Sequence, residues 1–252
     1  MNCDVVDILG VKVSAVTPAL SCQLIDNWIV SRKKVYLCVA PVSTIVEAQK
    51  DFAYKEVLNN AALVTPDGMP LVWIGRSRGN KVIQRTYGPD LMRSLCDYGQ
   101  TKGYRHYLYG ATQETLEMLE GKLKVVFPNI KIAGKYPPPF RGSAELEEDR
   151  IVRGINDSQA DILWVGIGSP KQDFWMVKHR AILNPPVMIG IGAAFDFLSG
   201  RKPQAPRWMQ RSGLEWLFRL CWEPQRLWRR YLIGNSLFVL YFIKDCFRKK
   251  RD

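Results

Sequence analysis

The chain has 252 residues with 47% hydrophobic and 24% charged side chains, ordinary globular values that argue against a disordered or low-complexity protein. That length suits one domain of about 200 residues plus an appendage, and the formal net charge of +12 calls for an anionic partner. The six Cys are scattered with no C-x-x-C, as expected of reduced thiols in a cytosolic protein, and neither His106 nor His179 begins a metal-ligand spacing, so each reads as a surface or packing residue.

The start of the chain carries Asp4 and Asp7 and no basic segment before an apolar run, which is not the pattern of a signal peptide. Val5 to Val16 reads as short strands broken at Gly10. Thr17 caps a helix with Pro18 at its first position, running toward Val30. Val35 to Val39 is a strand, Pro41 opens a helix through Gln49, and Phe52 to Leu58 fits a further helix. Ala61 to Val64 is a short apolar strand ending in Thr65-Pro66-Asp67-Gly68, and Met69 to Ile74 starts the next helix. Tyr87-Gly88-Pro89-Asp90 begins another, toward Gly99.

The second half alternates more cleanly. Arg105 to Tyr109 is a strand followed by the turn Gly110-Ala111-Thr112 and a helix to Val126. Ile130 to Ala133 is a strand, and Tyr136 to Gly142 must be loop, because its consecutive prolines cannot sit inside a helix. Glu145 to Asn156 is a helix, Ile162 to Val165 a strand, and Gly166-Ile167-Gly168-Ser169-Pro170 a turn before a helix from Lys171 to about Ile182. Val187 to Ile191 is a strand, followed by Gly192-Ala193-Ala194-Phe195-Asp196. Strand, Gly-rich turn and helix in repetition predict an α/β fold with a mostly parallel sheet and flanking helices. Ligands of such sheets sit at the carboxyl ends of the strands, where all the unusual polar turns fall.

Residues 1–200 are read as this core and residues 201–252 as a helical appendage. The appendage holds 13 Lys and Arg against 4 Asp and Glu, a net of +9 within the chain's +12, and four of the eight Trp. Cationic charge mixed with Trp, Phe and Leu suits a helix lying in a membrane surface. The most apolar run, Tyr231 to Ile243, is broken by Gly234, Asn235 and Ser236 and falls short of the roughly 20 apolar residues a spanning helix needs. Two other readings stay open. One is a basic helical hairpin packed on the core. The other is a nucleic-acid surface, against which the greasy Leu217, Phe218, Leu220 and Leu237 to Leu240 weigh.

Several residues could carry chemistry. Asp67, at a strand's carboxyl end, could take a proton from a substrate hydroxyl, or be only a turn residue. Gly168 and Ser169 open a helix whose N–H groups could hold phosphate. Lys171 and Gln172 in its first turn face either a ligand or water, and no G-x-G-x-x-G or P-loop Lys-Ser/Thr is present. Pro224 separates two tail helices. Arg226 and Arg229 then share one face, with Arg219 on the preceding helix. Together they could grip a diphosphate or touch lipid headgroups.

The blocks TPDGMPLVW, RTYGPDLM, YGAT, GIGSPKQDFW, GIGAAFDFLSGRKPQAPRWMQRSGLEWLFRL and EPQRLWRRY occur in this order. Together they resemble the WecG/TagA/CpsF glycosyltransferases, glycosyltransferase family 26, over about Val5 to Tyr231. The resemblance implies the so-called GT-E fold with a membrane-targeting appendage. It implies inverting transfer from a UDP-sugar to a polyprenyl-diphosphate-linked saccharide in bacterial envelope or exopolysaccharide synthesis. The setting implied is the cytoplasmic face of the plasma membrane, peripherally bound, with no metal or other cofactor and no nucleic acid. It casts Asp67 as the base and Arg85 as an active-site arginine. Gln172 and Asp196 would line the nucleotide-sugar pocket, with Gly110, Gly168, Ser169 and Lys171 among the substrate-binding turns. Arg219, Arg226 and Arg229 would close over the diphosphates. One block departs. Where many members have T-P-N, this chain has Ala40-Pro41-Val42, and Ala40 and Val42 cannot make the corresponding side-chain hydrogen bonds. Ser43 or Thr44 would substitute, or the donor sugar differs, with glucose or a uronic acid as options. A homo-oligomer is left open. The rivals are a dinucleotide-dependent oxidoreductase, which lacks its glycine fingerprint here, and a non-catalytic membrane scaffold.

Overall fold

A computed structural model describes residues 3–139 and 145–248. Two expectations therefore lie partly outside the described residues: the far end of the loop expected up to Gly142, and the basic close of the tail, 249–252.

The chain opens with a hairpin, β1 (Val5–Ile8) and β2 (Val11–Ser14), paired antiparallel. Leu9 and Gly10 turn it with positive φ angles of 56° and 78°, the two-residue turn whose twist matches the flanking strands. Then come α1 (Pro18–Val30), β3 (Val35–Ala40), α2 (Val42–Lys50), α3 (Phe52–Asn59), β4 (Leu63–Pro66), α4 (Met69–Ser77) and α5 (Gly88–Lys102). The cap foreseen at Thr17 forms: its Oγ1 accepts the Leu20 N–H at 3.0 Å, which supplies one of the helix's orphan donors with a partner. The second half runs β5 (Arg105–Gly110), α6 (Gln113–Val126), β6 (Lys131–Tyr136), α7 (Glu145–Asp157), β7 (Ile162–Gly166), α8 (Lys171–His179), β8 (Val187–Gly190) and α9 (Ala194–Ser199). The last of these was not foreseen, because Gly192 to Asp196 reads as turn.

Six strands form one sheet in the order β4-β3-β8-β7-β5-β6, every pairing parallel. The α/β architecture with a mostly parallel sheet is therefore what the chain adopts. All six residues of β3 are buried, as a strand covered on both faces requires. Its side chains alternate between two apolar layers. Tyr36, Cys38 and Ala40 join Ile45, Leu58, Leu71 and Met176. Val35, Leu37 and Val39 join Leu24, Leu91, Leu116 and Phe195. The two histidines are packing residues. His106 is buried and accepts the Trp164 Nε1–H at 3.0 Å, and burial lowers its pKa to about 4, so the ring is neutral there. His179 stacks on Trp175.

Beyond residue 200 lie α10 (Arg207–Arg211), α11 (Glu215–Trp222), α12 (Pro224–Trp228), a π-helical turn (Arg229–Ile233) and α13 (Gly234–Arg248). Pro224 does begin a new helix, since it needs no N–H donor at that position. Gly234 to Ser236 do not interrupt the last helix. α13 carries apolar residues on two faces. Phe238 and the Asp245 carboxylate turn inward, as does Tyr231 of the preceding turn, and Phe238 joins the core layer of α2. Val239, Leu240, Ile243 and Phe247 stand exposed at helical spacing along the other side, continuing from Leu232 of that turn. The packed-hairpin reading and an unpartnered apolar stripe thus coexist in one helix. Among the described residues, no helix is long and apolar enough to cross a membrane.

Candidate active site

The carboxyl ends of β3, β4, β7 and β8 come together, and the appendage folds over them. Asp67 follows β4 directly. Its N–H donates to the Ala40 carbonyl at 3.2 Å, carrying the β3–β4 pairing one step past the sheet. Its carbonyl accepts from Arg85 Nε at 2.6 Å. The backbone is thus held at both ends, and the Gly88 N–H reaches the carboxyl group. Its Oδ1 is buried with no hydrogen-bond partner among the described residues. Burial pushes the Asp67 pKa up to about 6, and the Glu215 carboxylate adds to this, while Arg85, Arg219 and the Gly88 N–H oppose it. Desolvation disfavouring the charged form is the dominant cause.

Two cavities meet at this carboxylate. The first is polar, about 290 Å³, and lined by Tyr87, Gly88, Gly168, Ser169, Gln172, Gly192 and, from the appendage, Arg219, Arg226 and Arg230. The second is apolar, about 420 Å³, enclosed between Val42, Met69 and Trp73 of the core and Trp216, Tyr231, Phe238 and Val239 of the appendage. Asp67 and Arg219 line both.

Gln172 organises the polar cavity. Its Oε1 accepts from the N–H groups of Gly168 at 3.2 Å and Gly192 at 3.1 Å, and its Nε2 donates to Ser169 Oγ at 3.0 Å. It ties the turn after β7 to the turn after β8. Gly168, with φ of 87°, occupies a conformation that favours glycine.

The arginines differ in how they are held. Arg219 lies over the Phe197 ring at 5.1 Å. Arg226 is paired with Glu223. Arg230 donates Nε to Ser43 Oγ at 2.9 Å and, among the described residues, makes no ion pair. Desolvation lowers its pKa, and the charges of Arg219 and Arg226 add to that lowering. Guanidinium groups crowded in this way are relieved by a multiply charged anion.

Asp67, Gly168, Ser169, Gln172, Arg219 and Arg226 are thus gathered around one cavity, and Arg85 lines the apolar one. Four expected residues lie apart. Arg229 stacks over Trp228 at 5.2 Å and lines a neighbouring cavity of about 310 Å³. Lys171 is exposed. The Asp196 carboxylate faces Lys202 at 3.4 Å. Gly110 serves the sheet, because a Cβ there would meet the Gly166 carbonyl at 2.5 Å. Sequence reasoning missed Arg230. Its four-residue spacing from Arg226 was a signal as good as the three-residue spacing of Arg229, and only the fold decides between them. Among the described residues, no group of three or more His, Cys, Asp or Glu is arranged to hold a metal ion.

A fixed, desolvated carboxylate between an arginine-lined pocket and an apolar one suits an α/β group-transfer enzyme with a phosphate-bearing substrate. Comparison with known proteins gives the family. A model of the glycosyl transferase WecG/TagA/CpsF family matches residues 6–252. An N-acetylglucosaminyldiphosphoundecaprenol N-acetyl-beta-D-mannosaminyltransferase of Bacillus subtilis is 34% identical over 203 residues, 81% of this chain and 77% of that protein. One of the same name from Bacillus spizizenii is 31% identical over 210 residues, 83% of this chain and 79% of that protein. Another from Staphylococcus aureus is 27% identical over 248 residues, 98% and 96% of the two chains. The chain belongs to the WecG/TagA/CpsF family of glycosyl transferases.

Proposed function

We propose that this glycosyltransferase moves a sugar, with inversion, from a UDP-sugar to a saccharide carried on a polyprenyl diphosphate, working at the cytoplasmic face of the membrane. The observation that carries this reading is the position of Asp67 between the two cavities. The arginine-lined cavity takes the donor's diphosphate, and the apolar one takes the lipid-linked acceptor. Asp67 accepts the proton of the acceptor hydroxyl. The hydroxyl oxygen bonds to the sugar's anomeric carbon as the bond to UDP breaks, and that electron pair leaves on the diphosphate. Arg219, Arg226 and Arg230 hold the charge gained by the leaving group. With this charge met by guanidinium groups, turnover is expected to be unchanged by EDTA.

The relatives' names supply the first substrates to try: an N-acetylmannosamine donor and N-acetylglucosaminyl-diphosphoundecaprenol as acceptor. Ala40 and Val42 argue for widening the donor set to glucose and uronic acids. Ser43, next in the chain, is engaged by Arg230, so it supports the arginine before it supports any sugar. Residues 201–252 act as the membrane-binding appendage, with the exposed stripe of α13 entering the lipid boundary. The test is UDP release from a panel of UDP-sugars in vesicles bearing the acceptor. Release dependent on both acceptor and Asp67 supports the reading. A protein that binds vesicles but transfers no sugar would instead be the scaffold alternative.

A further inference from the structure

Each of the three nitrogens of the Arg85 guanidinium already has an acceptor within the protein. Nε donates to the Asp67 carbonyl at 2.6 Å, Nη1 to Gln210 Oε1 at 3.2 Å, and Nη2 to the Glu215 carboxylate. The last two partners belong to the appendage, 125 and 130 residues further along the chain. The flat face of the guanidinium is used as well, lying 4.2 Å from the centre of the Tyr87 ring. The Arg85 and Glu215 side chains are only 15% and 14% exposed, so water screens their attraction weakly. Gln210 is itself fixed, donating Nε2 to the Ala205 carbonyl at 2.7 Å. The arginine that the resemblance casts as an active-site residue therefore joins the appendage to the backbone of the candidate base.

We propose that Arg85 and Glu215 form a latch that closes the appendage on the core, with Glu215 a positioning residue acting through Arg85 on Asp67. The inference rests on Asp67 being the base. Its logic is economical, because Arg219, Arg226 and Arg230 lie on the same appendage. Through Arg85, the Glu215 carboxylate of the appendage is linked to the Asp67 carbonyl, alongside the Gln210 and Arg230–Ser43 hydrogen bonds. The charged and titratable groups around the Asp67 carboxyl are Arg85 and Tyr87 from the core and Glu215, Arg219, Arg230 and Tyr231 from the appendage. Glu215 raises the proton affinity of Asp67 and Arg85 lowers it. Neutralising Glu215 therefore moves the acid limb of activity to lower pH. A residue that merely supported its helix would scale activity equally at every pH.

The test uses the full chain on anionic vesicles, with two readouts. One is the pH dependence of kcat/KM, and the other is the rate of chymotryptic cleavage at exposed Trp208, which needs no activity. Glu215→Gln is expected to bind vesicles normally and to shift the acid limb down by roughly one pH unit, the size a nearby charge commonly gives. Glu215→Lys sets two cations against each other and is expected to speed cleavage at least roughly tenfold. Adding Arg85→Glu to Glu215→Lys restores a pair of opposite charges and should recover most of the protection. An unmoved acid limb in Glu215→Gln overturns the positioning role. A double variant cleaved as fast as Glu215→Lys alone overturns the latch. If the unaltered protein transfers no sugar, the proposed reaction fails, while the cleavage comparison still decides the latch.

Discussion

Arg230 and Ser43 stand 187 residues apart in sequence and are joined by a 2.9 Å hydrogen bond. That bond turns the arginine away from the exposed stripe of the tail and over the strand ends of the core. It separates two adjacent arginines into different roles. Arg230 borders the polar cavity beside Asp67, and Arg229 lies over Trp228. Arg230→Ala should lose roughly 10²–10³-fold in kcat, the usual loss for one donor to developing charge. Arg229→Ala should stay within a few-fold at saturating vesicles. Ser43→Ala should fall between them, since it loosens Arg230 without removing it. Turnover at saturating lipid checks all three, and equal losses for Arg229→Ala and Arg230→Ala would show that the two act as one cationic patch.

Asp67→Asn should cut turnover by roughly 10²–10⁴-fold, the range for loss of a general base, while UDP affinity is kept. Turnover within a few-fold of the unaltered enzyme would leave Asp67 as a turn residue.

The same substitution should stabilise the fold. The folded pKa of Asp67 lies at about 6 against an ordinary 3.8, so the folded state holds this proton more tightly than the unfolded chain. Stability from that proton is present below about pH 4 and is lost as pH rises through about 6. A difference of about two pH units is worth up to about 3 kcal/mol. The Tm advantage of Asp67→Asn should therefore be near zero at pH 4 and largest above pH 7, as a thermal melt series would record.

For the unaltered enzyme, kcat/KM should climb through an acid limb centred near pH 6, because the base works only when deprotonated. A limb centred near pH 4 would mean that the site is wetter on the membrane than its burial indicates.

Leu240→Asp with Ile243→Asp alters side chains exposed by 53% and 46%, and leaves the face of α13 that holds Phe238 untouched. Vesicle sedimentation should drop sharply and the melting temperature should hardly move. Undiminished sedimentation would place the membrane contact elsewhere.

Much of this was legible in the sequence for identifiable reasons. The parallel strands were, because runs such as Val35 to Ala40 are apolar throughout and end at Pro or Gly. The place of Asp67 at a strand's carboxyl end was, because T-P-D-G follows such a run. The grouping of the arginines was not. Helical spacing allows Arg226 to pair with either Arg229 or Arg230, and the π-helical turn at Arg229–Ile233 and Ser43 settle it in space. The occupation of Arg85 by Gln210 and Glu215 was equally hidden, since no local pattern reports a contact made 125 residues away. Asp196 was expected in the nucleotide-sugar pocket from the resemblance alone, and in the fold it lies in the first turn of α9 with its carboxylate against Lys202.

The arginines of the polar cavity, Arg219, Arg226 and Arg230, are translated after every strand of the sheet. Domains generally fold from the N-terminus during synthesis, so the sheet and Asp67 can be in place while the anion-binding side chains are still being made. A nascent chain would then hold the sheet and Asp67 before any of the three guanidinium groups that crowd the polar cavity. Under the proposed reaction, the order of translation itself would keep such partial products from consuming activated sugar.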